Sequence, residues 1–184
     1  MSRPPVWYLM LIAGLAAVRL RELAISRAHE RATGGVPSAP ETYPLMVAAH
    51  VGLHTLPLLE VAGHRRRRPD WRWAAVLAGA VGLRVWCIRS LGQQWNVRAV
   101  VPRDLTPVEV GPYRYIRHPN YVAVILEFLA VPLVAGAHLS AGLLSAVNAY
   151  VLFDRIRAEE ALLDASPAYR KAFAGKARFI PGVF

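Results

Sequence analysis

Long apolar stretches alternate with polar loops along this chain, and each stretch is about as long as a helix that crosses a bilayer. The first runs from Val6 to about Ile25, the second from about Tyr43 to Ala62, and the third from about Trp71 to Leu91. Glycine, proline and charged residues separate these stretches, so each is expected to form its own helix. The pattern predicts three membrane spans in the N-terminal half.

The fourth apolar run, from Tyr121 to Phe153, is too long for a single crossing. Pro132, Gly136 and His138 lie near its middle and favour a break in the helix there. We therefore expect a helical hairpin with its turn around Ala135 to Ser140. This hairpin brings the predicted number of transmembrane helices to about five.

From Asp154 the chain becomes charged, and it predicts a helix ending at about Leu163 or Ala165, with a second short helix starting at Pro167. The fold class expected from the whole pattern is all-α and integral to the membrane, with a C-terminal hairpin and a cytoplasmic amphipathic tail. Basic residues are more numerous on the side of loop 92–119 and the C-terminus, which predicts that this side is cytoplasmic and the N-terminus outside. The four arginines Arg65 to Arg68 fall on the opposite side and suggest a headgroup-binding loop.

Composition is that of one polytopic membrane domain rather than a soluble one. The 184 residues are 55% hydrophobic and 18% charged, and the mean hydropathy is +0.30. The formal charge of +10 clusters between apolar stretches and in the tail, which favours membrane lipids over nucleic acid as partners. Cys87 is the single cysteine, so no internal disulfide can form. No small-residue cleavage site precedes Arg19, so we expect the first helix to stay uncleaved.

Two polar features inside the predicted spans have alternative interpretations. Glu127 is an intramembrane carboxylate, which is either a functional group or a carboxyl kept neutral or paired with Arg84. His50 and His54 lie one helical turn apart, the spacing of half a metal site, or else they make polar contacts inside the bundle. Because the sequence has no further ligand cluster, we expect no metal.

The segment 111–121, with sequence GPYRYIRHPNY, places basic, aromatic and helix-breaking residues beside the fourth apolar run. Pro119 disfavours helical angles at His118 and suits the first turn of a helix. We expect an extended chain through His118 and a helix from about Asn120. Backbone N–H groups and cations then lie at the lipid boundary, where they can hold an anionic or zwitterionic ligand.

The charged tail helix is the second candidate for chemistry. Within one helix Arg155 faces Glu159, and Arg157 lies near Glu160. One interpretation is a solvated helix with weak internal ion pairs. The other follows from the hairpin, which returns this helix to the same interface as the Arg117 to Tyr121 turn, so that both line one pocket.

Several motifs occur in order across about the C-terminal half of the chain. They are Leu91-Gly92 with Trp95, Gly111-Pro112-Tyr113-Arg114, Arg117-His118-Pro119-Asn120-Tyr121, Arg155-Ile156 with Glu159-Glu160, and finally Tyr169, Arg178 and Pro181. This arrangement resembles the isoprenylcysteine carboxyl methyltransferase family. The resemblance implies an integral-membrane enzyme that uses S-adenosylmethionine, is related to phospholipid N-methyltransferases and has no Rossmann domain.

The resemblance also implies roles for residues and regions. Residues 1–184 form a single membrane domain, in which 1–91 supply three spans on the acceptor side and 92–184 supply the cofactor loop, hairpin and tail. Arg155 is implied at the junction with the acceptor, and the catalytic candidates are Arg155, Glu127 and His118. Trp95 serves either in the pocket or as an interface anchor. The implied cofactor-binding residues are Tyr113, Arg117, His118, Pro119, Asn120, Tyr121, Glu159 and Glu160.

These residue types suit the implied chemistry. A sulfonium and an amino group need acidic partners, and a carboxylate needs a cation or a helix N-terminus. Methyl transfer is an in-line displacement, so most of the rate should come from alignment and exclusion of water. A carboxylate acceptor needs no base, whereas a phenol or enol must be ionised, which makes His118 and Glu127 of interest.

We therefore expect O-methylation of a lipophilic acceptor at the cytoplasmic membrane face. The expected acceptor is an isoprenylcysteine carboxylate or a small lipidic phenol, pyrone or acid. A chain this short and arginine-rich is typical of a bacterial protein, so we expect it in a bacterial cell membrane. One alternative is N-methylation of phospholipid headgroups. An alternative from a different class is a non-catalytic membrane subunit or carrier, which the polar residues Arg84, Glu127 and Asn148 within spans would also suit.

Overall fold

The structure, a computed structural model, describes residues 3–34, 36–37, 41–62, 68–98, 100–101 and 105–180. Six α-helices make up most of this part of the chain. They are α1 (Val6–Thr33), α2 (Tyr43–Val61), α3 (Trp71–Leu91), α4 (Pro119–Leu133), α5 (His138–Leu163) and α6 (Pro167–Ala172). Short 3-10 turns occupy Gly92–Gln94 and Gly111–Arg114.

Most ends of the first three helices coincide with the ends of the predicted apolar stretches. Helix α3 begins after Asp70, whose carboxylate accepts a hydrogen bond from the backbone N–H of Arg72 at 3.1 Å. Helix α1 continues past the predicted end at Ile25 and stops at Gly34, whose φ of 54° is a left-handed value that glycine adopts without strain. At 28 residues α1 is about 42 Å long, which exceeds the roughly 30 Å of a bilayer core.

Helices α4 and α5 are joined by the short turn 134–137, at the start of the region where the sequence predicts a break. The carboxylate of Glu60, near the end of α2, caps the beginning of α5. Its oxygens accept hydrogen bonds from the backbone N–H groups of Leu139 at 3.0 Å and Ser140 at 2.7 Å. These bonds satisfy helix-terminal donors that α5 cannot pair internally.

Helix α4 lies at the centre of the bundle, between α3 and α5, and α5 packs in turn on α2. Phe128 and Val131 of α4 are fully buried in the main apolar core. From α1, the hydroxyl of Tyr8 donates a hydrogen bond to the carbonyl of Val131 at 2.9 Å. Because α4 is central, the His118-Pro119 corner at its start is surrounded by several other elements.

Two helices of the described chain are long and apolar enough to cross a membrane by length and composition. They are α2 and the segment Trp71–Gln94, which contains α3, while α4 is apolar but shorter. Large apolar side chains also face outward, including Leu20 on α1 and Leu139 on α5, which are 70% and 80% exposed. An apolar outer surface of this kind is typical of helices that face lipid.

One small element departs from the all-α expectation. Val36–Pro37 and Val100–Val101 form two-residue antiparallel strands, β1 and β2, which join the loop after α1 to the loop after α3. Strands this short leave no trace in a hydrophobic pattern, since period-2 alternation needs several residues to be recognised. Of the predicted headgroup-binding loop, Arg65 to Arg67 lie outside the described residues, as does Pro181 of the C-terminal motif.

Candidate active site

The histidine-proline corner has the backbone form that its sequence predicts. His118 has φ −124° and ψ 54°, and α4 begins at Pro119. The returning tail pairs with this corner through two backbone hydrogen bonds. The N–H of Arg117 donates to the carbonyl of Ala177 at 2.9 Å, and the N–H of His118 donates to the carbonyl of Arg178 at 3.0 Å. The tail is thus hydrogen-bonded to the backbone of the corner, a contact that the sequence does not reveal.

Glu160 on α5 links the corner to the tail. Its Oε1 accepts hydrogen bonds from His118 Nε2 at 3.1 Å and from Arg178 Nε at 2.9 Å, and its Oε2 accepts from Arg178 Nη2 at 2.7 Å. The hydrogen bond from His118, followed by those from Arg178, lowers the pKa of Glu160 to about 2, against the opposing effect of burial. Glu160 is therefore an anion whose hydrogen-bonding capacity is used within the protein.

Glu159 has a different environment from its neighbour. The hydroxyl of Tyr121 donates a hydrogen bond to Glu159 and accepts one from Arg155 Nε at 2.9 Å. The other two guanidinium nitrogens of Arg155 contact Met46 Sδ, at 2.8 Å, and the carbonyl of Val97. Arg155 is buried, and these contacts fix it between α5, α2 and the loop after α3.

A cavity lies between the His118-Pro119 corner, α5 and the loop segments 94–98 and 105–108. It has about 810 Å³ of empty space including its open mouth. Both sequence segments that carry the candidate residues contribute to its wall. The predicted site residues that line it are Tyr113, Arg117, His118, Asn120, Tyr121, Arg155 and Glu159.

Three other predicted residues do not line this cavity. Pro119 is buried at the start of α4 and shapes the corner, and Glu160 lies behind the wall in its contact with Arg178. Glu127 lies about two turns further along α4, inside the bundle. The structure thus separates residues that touch the cavity from residues that hold its wall.

Glu127 belongs to a buried ionic network of two arginines and two glutamates. Arg19 Nη2 donates to Glu127 at 2.6 Å, and Arg84 Nη1 lies 3.7 Å from the other oxygen of Glu127. Arg19 and Arg84 also pair with Glu22, Arg84 at 3.0 Å. Of the two interpretations drawn from sequence, pairing with Arg84 is the one observed, and the network joins α1, α3 and α4.

Several residues of the cavity wall are not among the catalytic and cofactor-binding candidates predicted from the sequence, although Tyr169 occurs in the C-terminal motif. Tyr169 and Phe173 stack with ring centroids 4.5 Å apart and form part of the wall, together with Gln94, Asn96 and the segment 105–108. Burial raises the pKa of the Tyr113 phenol, so this group stays neutral in the wall. For Tyr169 the sequence offers its place in the C-terminal motif, and for Phe173 it offers only a position one helical turn later.

The two histidines of α2 have local partners. His50 Nδ1 lies 2.8 Å from the carbonyl of Met46, and His54 Nδ1 lies 2.8 Å from that of His50. The rings of His50 and Phe128 pack edge to face, with their centroids 5.1 Å apart. Among the described residues, no group of three or more histidine, cysteine or acidic side chains is placed to hold a metal ion.

Comparison with known proteins identifies the family. The sequence model of the isoprenylcysteine carboxyl methyltransferase (ICMT) family matches residues 73–165. The chain belongs to the ICMT family. It is 34% identical to the uncharacterized protein YpbQ of Bacillus subtilis over 84% of this chain and 95% of that protein. It is 24% identical to an uncharacterized protein of Haemophilus influenzae, over 82% of this chain and 91% of the relative.

ICMT family members are methyltransferases that generally use S-adenosylmethionine, and the cavity can be tested for its fit to that group. Its wall offers the carboxylate of Glu159 and the cation of Arg117. Trp95 Nε1 and Asn120 Oδ1 are buried without a hydrogen-bond partner among the described residues. Trp95 is 2% exposed, so it lies in the wall rather than at an exposed membrane interface. Charged groups of both signs, with a spare donor and acceptor, fit a zwitterionic nucleoside ligand.

Proposed function

We propose that this protein is an integral-membrane methyltransferase that uses S-adenosylmethionine to O-methylate a lipophilic acceptor at the cytoplasmic membrane face. Family membership supports methyl transfer in general. One observation carries the proposal further: His118, Tyr121 and Glu159, from segments about 40 residues apart, line a single cavity. The cofactor supplies an activated methyl group on a sulfonium, and the protein's task is to bind, align and exclude water.

The cavity residues divide the binding task by charge. Glu159 is the anion of the wall and is suited to the positive groups of the cofactor. Arg117 and the start of α4 are suited to its carboxylate. The unpaired atoms of Trp95 and Asn120 are suited to the polar edge of a base, since a buried polar atom gains most from a partner that replaces water.

Arg155 and His118 are the residues we assign to the acceptor side. Arg155 is a buried cation held by Tyr121 and lines the cavity, so it favours an acceptor in its ionised form. His118 also lines the cavity and is the candidate base for a phenol or enol, oriented by its hydrogen bond to Glu160. We assign Glu127 a positioning role, because its carboxylate binds Arg19 and Arg84 rather than lining the cavity.

We also propose that α1 to α5 all cross the membrane, with loop 92–119 and the C-terminus in the cytoplasm of a bacterial cell. The apolar character of α2 and α3 supports two crossings directly. The network of Arg19 with Glu22 and Glu127 supports a third, because paired charges lower the cost of placing α1 in the bilayer. The α4–α5 hairpin then returns to the side of the cavity.

The test follows the methyl group. Purified protein in lipid nanodiscs is incubated with methyl-labelled S-adenosylmethionine and either a prenylated cysteine or a lipid extract. Label released as methanol by mild base identifies a carboxyl ester, and base-stable label on a lipid oxygen identifies a phenol or enol ether. Label on a phospholipid amine would contradict O-methylation and favour the N-methyltransferase alternative. A carrier or scaffold would transfer no label and would have no reason to bind S-adenosylhomocysteine.

A further inference from the structure

A second cavity lies beside the first, between the last turns of α1, the start of α2 and the loop after α3, and it has about 810 Å³ of empty space including its open mouth. Arg27 and Arg31 of α1 line it together with Arg98 of the loop. Among the described residues that line it, Glu30 is the one acidic residue. The lining therefore carries an excess of positive charge.

Two of the three arginines of this second cavity are exposed, and the third, Arg98, contacts Tyr43. Arg27 and Arg31 are exposed, and neither makes an ion pair within the part of the chain that the structure describes. The guanidinium carbon of Arg98 lies over the ring of Tyr43, 4.8 Å from its centroid. Glu30 is oriented by Ser26, whose hydroxyl lies 3.4 Å from its carboxylate. Guanidinium groups that line one cavity suit the oxygens of a phosphate.

The face of α1 that leads to this cavity changes from apolar to cationic along its length. Leu20, Leu23, Arg27 and Arg31 follow one another at intervals of three or four residues, so they share one side of the helix. Leu20 is 70% exposed. Because α1 is longer than a bilayer core is thick, its arginine end extends to the headgroup level while Leu20 remains among acyl chains. An apolar track that ends in a cationic cavity matches the shape of a phospholipid.

This second cavity also adjoins the candidate active site. Arg98 lines both cavities. The carbonyl of its neighbour Val97 accepts a hydrogen bond from Arg155, which lies on the acceptor side. An occupant that binds Arg98 therefore touches a residue shared with the methyl-transfer cavity.

We propose that the cavity formed by Arg27, Arg31 and Arg98 binds the phosphate of an anionic phospholipid from the surrounding bilayer, with an acyl chain along Leu20. This inference rests on the membrane placement given under Proposed function. The bound lipid completes the outer wall of the neighbouring cavity through Arg98. Its binding requires neither cofactor nor acceptor, so it can be measured apart from methyl transfer.

The experiment compares lipid retention in defined bilayers. Protein in nanodiscs containing equal amounts of phosphatidylglycerol and phosphatidylcholine is released and examined by native mass spectrometry. We expect wild type to retain phosphatidylglycerol preferentially and the double variant Arg27→Gln, Arg31→Gln to bind it about thirtyfold more weakly, since each surface arginine contributes roughly fivefold. The matched control is Arg114→Gln, Arg157→Gln, which removes the same charge from exposed positions outside both cavities.

Three results would overturn the proposal. The first is equal retention of both lipids by wild type, which needs no variant and therefore does not depend on the folding of one. The second is equal loss in the control and test variants, which would indicate a general charge effect. The third is stabilisation by inorganic phosphate, in neutral nanodiscs, as large as that by phosphatidylglycerol, which would assign the cavity to a free anion. Preferential retention without any methyl transfer would keep this site and reject the proposed function instead.

Discussion

His118 and Glu160, which are 42 positions apart in the sequence, are joined by a hydrogen bond of 3.1 Å between Nε2 and Oε1. Arg178 binds both oxygens of the same carboxylate from the returning tail. The adjacent Glu159 instead lines the cavity and accepts a hydrogen bond from Tyr121. Two neighbouring glutamates thus have different environments: Glu160 holds the wall, and Glu159 faces the cavity.

The first prediction concerns stability. Glu160→Gln removes the charge that both His118 and Arg178 bind, so it should lower the free energy of unfolding by about 1–3 kcal/mol. Denaturant or thermal unfolding in detergent measures this change. The matched variant Glu159→Gln should lower the free energy of unfolding by a smaller amount, because Glu159 faces the cavity and does not hold its wall together. Equal costs for the two variants would contradict the division of tasks.

The second prediction concerns pH. The pKa of Glu160 is about 2, below the ordinary value of 4.5. A carboxyl whose folded-state pKa is depressed contributes stability above its unfolded pKa and loses it as pH falls through the folded pKa. The difference in unfolding free energy between wild type and Glu160→Gln should therefore shrink as pH falls from about 4.5 to about 2. A difference that stays constant across this interval would show that Glu160 is not a stabilising anion.

The third prediction concerns the tyrosine of the corner. Tyr121→Phe removes a hydroxyl that accepts from Arg155 and donates to Glu159, so both charged groups lose a fixed partner. The affinity for S-adenosylhomocysteine should fall about tenfold, as expected for a hydrogen bond to a charged group. Tyr150→Phe is the control, because Tyr150 lies exposed on α5. An unchanged affinity in Tyr121→Phe would remove this hydroxyl from the site.

The fourth prediction concerns the buried network. Glu127→Leu leaves Arg19 and Arg84 without one of their two carboxylates and should cost about 3–5 kcal/mol of stability. Adding Arg84→Met leaves only the ion pair of Arg19 with Glu22, whose charges balance. The double variant should therefore recover much of the lost stability. Cofactor affinity should be unchanged in the double variant. Loss of methyl transfer in this variant, with fold and cofactor binding intact, would instead assign Glu127 a role in the chemistry.

The helices were largely predictable from sequence because apolar length and local signals determine them. Helix α3 has the predicted bounds, and the break around Pro119 follows from the geometry of proline itself. The extension of α1 to Thr33 was missed because its charged last turns are stabilised by tertiary contacts, such as that between His29 and the Trp95 carbonyl. Helix propensity is a weak signal where such contacts decide the outcome.

The candidate site was predictable only at the level of which segments meet. The corner and the twin glutamates do come together, but the sequence gives no indication that Glu160 turns toward Arg178 while Glu159 turns toward the cavity. Adjacent residues on a helix differ by about 100° in direction, so their environments depend on packing. The pairing of the tail with Arg117 and His118 depends on backbone hydrogen bonds, which no side-chain pattern records.

Calorimetric titration of S-adenosylhomocysteine into the protein in nanodiscs tests the central claim, that the cavity lined by Glu159 is the cofactor site. We expect saturable binding to wild type, an affinity about 10 to 100 times weaker in Glu159→Gln, and no change in Glu109→Gln, which alters an exposed carboxylate outside the cavity. Absence of binding to wild type, or equal binding by wild type and Glu159→Gln, would contradict the claim.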